Sequence, residues 1–206
     1  AFEPAPESYA LALRNLRDHD VRVVEHGASL PTACIGGPED GSGFVVHAFQ
    51  LALSDQRFGS KVVLAFYPQT SANSTLIRSR QHEGNACKSV PPHLRGAEVI
   101  DLPVISCRLS EALEALFGSD SCARPPVDLL KVDVEGAELE VLQGLDVDDA
   151  VRLRDLAVEV DGEEGLRKVR QNLEHIGYCG SLEACSHPEL HGQSLLRGRW
   201  HMPSAI

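Results

Sequence analysis

The sequence predicts an α/β fold: a mostly parallel sheet with helices on both faces. Three observations carry this reading. Strand-like and helix-like segments alternate along the chain. Residues 127–134 place apolar side chains on both faces, as a strand buried between helix layers does. Two stretches, 6–16 and 162–176, carry apolar residues at spacings of three and four. With 206 residues, 43% of them hydrophobic, the chain can bury one sizeable core, and a single domain over 1–206 is expected.

Ala1-Phe2 reads as the end of a strand. Pro6 and Glu7 then suit the first turn of a helix whose Tyr9, Leu13 and Leu16 share a face. Val21–Val24 and the apolar run Phe44–Leu53 are strand candidates. The interval 27–43 between them, with glycines at 36, 37, 41 and 43, reads as an insertion rather than a phosphate loop, since it follows no clean strand and opens no helix. Val62–Phe66 is the next strand. The polar stretch from Pro68 to Arg95 is long for a loop, a length that suits a functional role. Val99–Ile105 resumes strand character despite Pro103, and Ser110 opens a short helix with Leu113, Leu116 and Phe117 inward. After strand 127–134 a helix is expected over 136–145. Leu156–Val160 is another strand, and Gly162–Ile176 a helix stopped by Gly177. A closing hairpin is expected in the tail after Tyr178. Ligands of such a sheet sit beyond the carboxyl ends of its strands.

Thirty acidic residues against nineteen Lys and Arg give a net charge of −11, which argues against a dedicated nucleic-acid binder. No run approaches the roughly 18 apolar residues of a membrane span, so a soluble chain is expected, with the cytoplasm its compartment. The oligomeric state is not legible. Six scattered cysteines read as reduced, mostly buried thiols. Cys179, Cys185, His187 and His191 form the densest patch of soft ligands but lack zinc spacing, and no metal is expected.

The most informative stretch is Lys131-Val132-Asp133-Val134-Glu135-Gly136-Ala137-Glu138. Along a strand, Lys131, Asp133 and Glu135 point to one side while the valines point to the other. Charges near the end of a buried strand face a costly environment unless they bind a cation, pair, or reach water in a cleft. Asp133 and Glu135 are therefore the candidate site, whereas Glu138 is explained by the dipole of the helix it begins. Glu3, a carboxylate at the end of the first visible strand, stands where nucleotide-binding sheets place the acid that receives ribose hydroxyls.

The run VDLLKVDVEGAELEVLQGL at 127–145 resembles the signature of the FkbM family of S-adenosylmethionine-dependent methyltransferases, and AFEPAPESYALALRNL at 1–16 resembles that family's second-strand segment. LALSDQRFGSKVVLAFYPQTSANSTL at 51–76 is similar to its third-strand ending, extra strand and following loop, and 102–116 to its linker and short helix. The resemblance implies a Rossmann-like class I methyltransferase sheet with S-adenosylmethionine as cofactor. It puts Glu3 at the ribose, Ser54 and Asp55 near the adenine, and Asp133 and Glu135 at the methyl-transfer cleft. The family begins with a strand and a glycine-rich turn that this chain lacks, so an N-terminally incomplete domain is expected. Phe44–Leu51 is preferred over Val21–Val24 as the family's third strand, because Ala52-Leu53-Ser54-Asp55 ends it properly.

Methyl transfer from a sulfonium depends on alignment, a dry cleft and sometimes a base for the acceptor proton. O-methylation of a hydroxyl on a small molecule or sugar is the implied reaction, with Asp133 placing sulfonium or acceptor and Asp133 or Glu135 taking the proton. The polar loop around Asn73, Ser74 and Thr75 is a candidate acceptor wall. Two alternatives stay open: a nicotinamide-dependent oxidoreductase using Glu3 on the adenosine ribose, and a catalytically silent remnant or interaction domain.

Overall fold

A computed structural model describes residues 1–32, 45–68, 74–76, 98–120, 123–186 and 193–199. A strand end at Phe2 is followed by α1 (Pro6–Asp18), β1 (Arg22–Gly27), β2 (Val45–Phe49), β3 (Ala52–Leu53), β4 (Ser60–Phe66) and β5 (Ile100–Cys107). Then come α2 (Leu109–Phe117), β6 (Val127–Val132), α3 (Glu138–Gln143), α4 (Val147–Ala150), β7 (Leu153–Asp161), α5 (Gly162–His175), β8 (Ser181–Ser186) and β9 (Gln193–Arg199). Pro6 opens α1, where a missing N–H is harmless, and Tyr9 and Leu13 bury its inner face.

The architecture is α/β, but the sheets are mixed rather than mostly parallel. β1–β2, β3–β5 and β6–β7 are parallel pairs; β4–β5, β7–β9 and β8–β9 are antiparallel. Connection length explains the tail. Residues 187–192 are too few for a parallel crossover, so β8 and β9 close as a hairpin, the form expected there, and β9 returns along β7. Pro103 is tolerated in β5 because β3 meets that strand only at Ser106 and Cys107, leaving the edge beside Pro103 without a β3 partner.

The run Phe44–Leu53 forms two strands with different neighbours. β2 pairs with β1 and, at Phe49, with Phe2, whereas β3 pairs with β5. Both candidates for the third strand are therefore strands, side by side, and β2 is the one beside Phe2. The helix expected over 136–145 begins later, at Glu138, because Glu135 and Gly136 adopt φ of +52° and +105°, incompatible with a helical first turn. Of the interval 27–43, Gly27 closes β1 and Ser29 Oγ donates to the His26 carbonyl; residues 33–43 lie outside the described part.

The main core joins β6, β7 and β9 to α3 and α5 through Val132, Leu142, Leu156, Val158, Leu173 and Leu196. A second cluster holds Phe49, Leu51, Cys107 and Ala112. Phe2 and Leu53 pack against both clusters and so mark the seam between them. Tyr178 locks the hairpin onto β7. Its hydroxyl donates to the Arg154 carbonyl at 3.0 Å, and its ring fills space left by Gly180 and Gly198, where an added Cβ would lie 2.2 and 2.4 Å from the hydroxyl oxygen.

β6 differs from its expectation as a central strand. It pairs with β7 alone; among the described residues its other edge has no neighbour, and Leu129 is 61% exposed. No helix of the described part is long and apolar enough to cross a membrane.

Candidate functional site

The parallel pairing of β6 with β7, in register at Val132 and Val158, brings two strand ends together. Beyond Val132 the chain runs through Asp133 and Val134, turns at Glu135-Gly136 and enters α3 at Glu138. Beyond Val158 it runs through Glu159 and Val160 to Asp161, which precedes α5. The inward valines hold both ends against the core, so the alternate acids share the open side. Asp133, Glu135, Glu138, Glu159 and Asp161 line a small recess there, open to solvent. Only about 10 Å³ of it is enclosed, about the room of one water molecule, so it can receive a single group at the edge of a ligand.

The five carboxylates are not equivalent. Lys131 Nζ lies 2.7 Å from Asp133 Oδ2, an exposed pair worth at most about 1 kcal/mol that only partly offsets the acidic charge at the lip. Glu138 is buried at 5% exposure, and its Oε1 accepts the Gly136 N–H at 2.7 Å, a bond that fixes the turn into α3. Glu135 is half-buried. Burial first, then the neighbouring charges of Asp133, Asp161, Glu159 and Glu138, push its carboxyl up to about 7. It also sits in the left-handed region, which costs a non-glycine residue on the order of 1 kcal/mol or more. A strained acid titrating near neutrality is suited to exchanging a proton.

The expected cofactor residues lie outside this recess. Glu3 is half-buried at the end of Phe2's strand. Its Oε1 accepts the Ala5 N–H at 2.8 Å, and burial raises its pKa against the lowering effect of that bond. Ser54 is 4% exposed, and its Oγ accepts the Gln56 N–H at 3.1 Å; Asp55 is exposed and accepts from Gln56 Nε2. None of the three lines the acidic recess. The link between the groups is apolar: Phe2 and Leu53, each one residue ahead of Glu3 and Ser54, pack against the core under the recess.

Glu159 and Asp161 escaped the sequence reading, although a signal for them exists. Val158-Glu159-Val160-Asp161-Gly162 repeats the pattern Val132-Asp133-Val134-Glu135-Gly136, and each ends in a glycine of positive φ. On the suggested acceptor wall, Ser74 Oγ accepts the Tyr67 N–H and buried Thr75 pairs its backbone with Ala65; Asn73 lies outside the described residues. Of the soft-ligand patch, His187 and His191 also lie outside, while Cys179 and Cys185 are exposed, unlike the buried Cys107. Burial, with Glu111 nearby, pushes the Cys107 thiol up to about 12, so it is unreactive. Among the described residues no group of three or more His, Cys, Asp or Glu side chains is arranged to hold a metal.

A family model described as the methyltransferase FkbM domain matches residues 1–178. The methyltransferase sdnD of Sordaria araneosa is 32% identical over 189 residues, covering 86% of this chain and 63% of that protein. Methyltransferase 1 of Beauveria bassiana (strain ARSEF 2860) is 31% identical over 189 residues, covering 89% of this chain and 63% of that one. The chain thus spans under two thirds of the length of these relatives. No solved structure matches with significance.

Proposed function

The chain belongs to the FkbM methyltransferase family, and we propose that the full-length protein transfers a methyl group from S-adenosylmethionine to a hydroxyl oxygen of a small molecule or sugar. The observation that carries this reading is the recess at the ends of β6 and β7, where Asp133 is joined by a half-buried Glu135. Family membership favours methyl transfer over the hydride-transfer alternative.

The residues present fit such a donor. Glu3 has one carboxylate oxygen engaged by Ala5, and its Oε2 has no hydrogen-bond partner among the described residues, which leaves it for ribose hydroxyls. Asp133 and Glu135 offer negative charge to a sulfonium, and Asp55 offers an exposed carboxylate to the adenine end. When bound, S-adenosylmethionine supplies an electrophilic methyl group. Asp133 would hold the charged centre and acceptor in line, and Glu135 would take the proton that the acceptor hydroxyl gives up as its oxygen gains the methyl and the carbon–sulfur bond breaks to leave a neutral thioether. Ionised Glu135 is required, so kcat/KM rises as pH passes through about 7.

The same proposal accounts for the bare edge of β6. The resemblance puts a strand with a glycine-rich turn ahead of Ala1. An edge without a partner among the described residues, with Leu129 exposed beside it, suits that strand. Calorimetric titration of the full-length protein with S-adenosylmethionine tests the reading. Saturable binding that weakens about tenfold in Glu3→Gln, the loss of one charged hydrogen bond, supports it. Absence of binding by the full-length protein overturns it and favours the silent-remnant alternative.

A further inference from the structure

The loop 54–59 between β3 and β4 carries Ser54 and Asp55, yet burial does little to hold it. Residues 55–59 are all exposed, Phe58 at 42%. Hydrogen bonds fix its backbone instead. Ser54 and Gly59 donate to the carbonyls of Cys107 and Ser106 at the two ends of the loop, at 3.0 and 3.2 Å, and the Gln56 N–H turns inward to Ser54 Oγ. Its middle is held by Glu111 of α2, whose Oε2 accepts the Phe58 N–H at 2.7 Å. Among the described residues Glu111 is the one side chain from outside the loop that hydrogen-bonds to it.

The same oxygen accepts the Arg108 N–H at 3.0 Å at the start of α2. That start is in turn tied to the end of α3. Ser110 donates its N–H to the Gly144 carbonyl, its Oγ accepts the Asp146 N–H at 2.8 Å, and Arg108 pairs with Asp146 at 2.6 Å. Gly144 itself lies against Ser54: an added Cβ would be 2.3 Å from the Ser54 carbonyl oxygen. One carboxylate oxygen therefore holds an exposed loop to the start of α2, and other bonds tie that start to the end of the helix that begins at the acidic recess.

We propose that Glu111 is a positioning residue for donor binding, holding loop 54–59 so that Asp55 meets the adenine end while the recess receives the methyl-bearing end. The proposal rests on the reading of Asp55 as an adenine contact. Glu111 touches no reacting atom, so its loss acts on affinity rather than on the chemical step.

The test uses the full-length protein, with S-adenosylmethionine as probe, by calorimetry and steady-state kinetics. In Glu111→Ala the dissociation constant and the KM for S-adenosylmethionine rise about tenfold, the worth of one charge-assisted bond, while kcat at saturation stays within about twofold. Glu111→Gln, whose amide oxygen can accept the same two N–H groups, recovers most of the affinity. Should Glu111→Ala fold poorly, Phe58→Pro removes the loop's donor and leaves α2 capped; it weakens binding where Phe58→Ala, which keeps the N–H, does so less. Unchanged affinity in folded Glu111→Ala, with only a lower Tm, overturns the positioning role and leaves the cofactor reading standing. A wild-type protein that does not bind the donor overturns both, and unchanged affinity in Asp55→Ala removes the contact this loop is proposed to present.

Discussion

The ends of β6 and β7 carry the same five-residue pattern, Val-acid-Val-acid-Gly, and come to different conformations. At β7 the pattern stays extended to Asp161, whose φ of −84° and ψ of 125° lead into α5. At β6 it breaks one residue sooner, and Glu135 flips to φ +52° before Gly136. The ladder of β7 with β9 runs to Asp161, paired with Gln193, whereas the ladder of β6 with β7 ends at Val132. A continuing ladder keeps a chain extended; where it ends, local turn chemistry decides. The consequence is chemical: the strained end holds the acid that titrates near neutrality.

Substitutions sharpen that contrast. The largest expected effect is on activity: Asp133→Ala lowers kcat/KM by roughly a hundredfold or more if it aligns the reacting groups, with the midpoint of thermal unfolding nearly unchanged because the side chain is exposed. An unchanged methylation rate removes Asp133 from the mechanism. Next, Leu156→Ala in β7 costs about 2–5 kcal/mol in denaturant unfolding, whereas Leu129→Ala in β6 costs under about 0.5 kcal/mol in this chain. A large penalty at Leu129 would show that this face of β6 is covered.

The turn itself is expected to respond unequally. Gly136→Ala costs about 1–3 kcal/mol at φ +105°, while Gly162→Ala, at φ +70° and with open space around the added Cβ, costs about 1 kcal/mol. The smallest effect is on pH dependence. Glu135 has a higher pKa folded than unfolded, so the folded chain binds more protons between about pH 4.5 and 7, and stability falls as pH rises through that window. Glu135→Gln removes the fall. It gains about 1 kcal/mol at pH 8, after allowance for solvent screening of a half-exposed group, and nothing at pH 4. Parallel unfolding curves for the two proteins at both pH values would contradict this.

Much of the architecture is legible in the sequence because it rests on local periodicity. Tyr9 and Leu13 reveal α1, Val169 and Leu173 reveal α5, and the alternation around Asp133 reveals the lip of the recess. What escaped depends on partners distant in sequence. Nothing within residues 44–53 tells that β2 and β3 pair with different strands, and nothing within 127–134 tells that one edge has no neighbour among the described residues. The sheets turned out mixed because β8 and β9 fold back on a short connection and β4 runs antiparallel to β5. Glu159 and Asp161 were hidden differently: their pattern was in plain view but gains meaning only once β6 and β7 are known to be adjacent. Glu111, an ordinary helix residue in the sequence, shows its second bond only in three dimensions.

The most direct measurement compares the affinity of the full-length protein for S-adenosylmethionine with that for S-adenosylhomocysteine, which lacks the positive charge, across pH 6–8. If Asp133 and Glu135 face the sulfonium, preference for the charged form grows as Glu135 ionises near pH 7, and the growth disappears in Glu135→Gln. A preference independent of pH in the wild-type protein would contradict the placement of the donor at these strand ends.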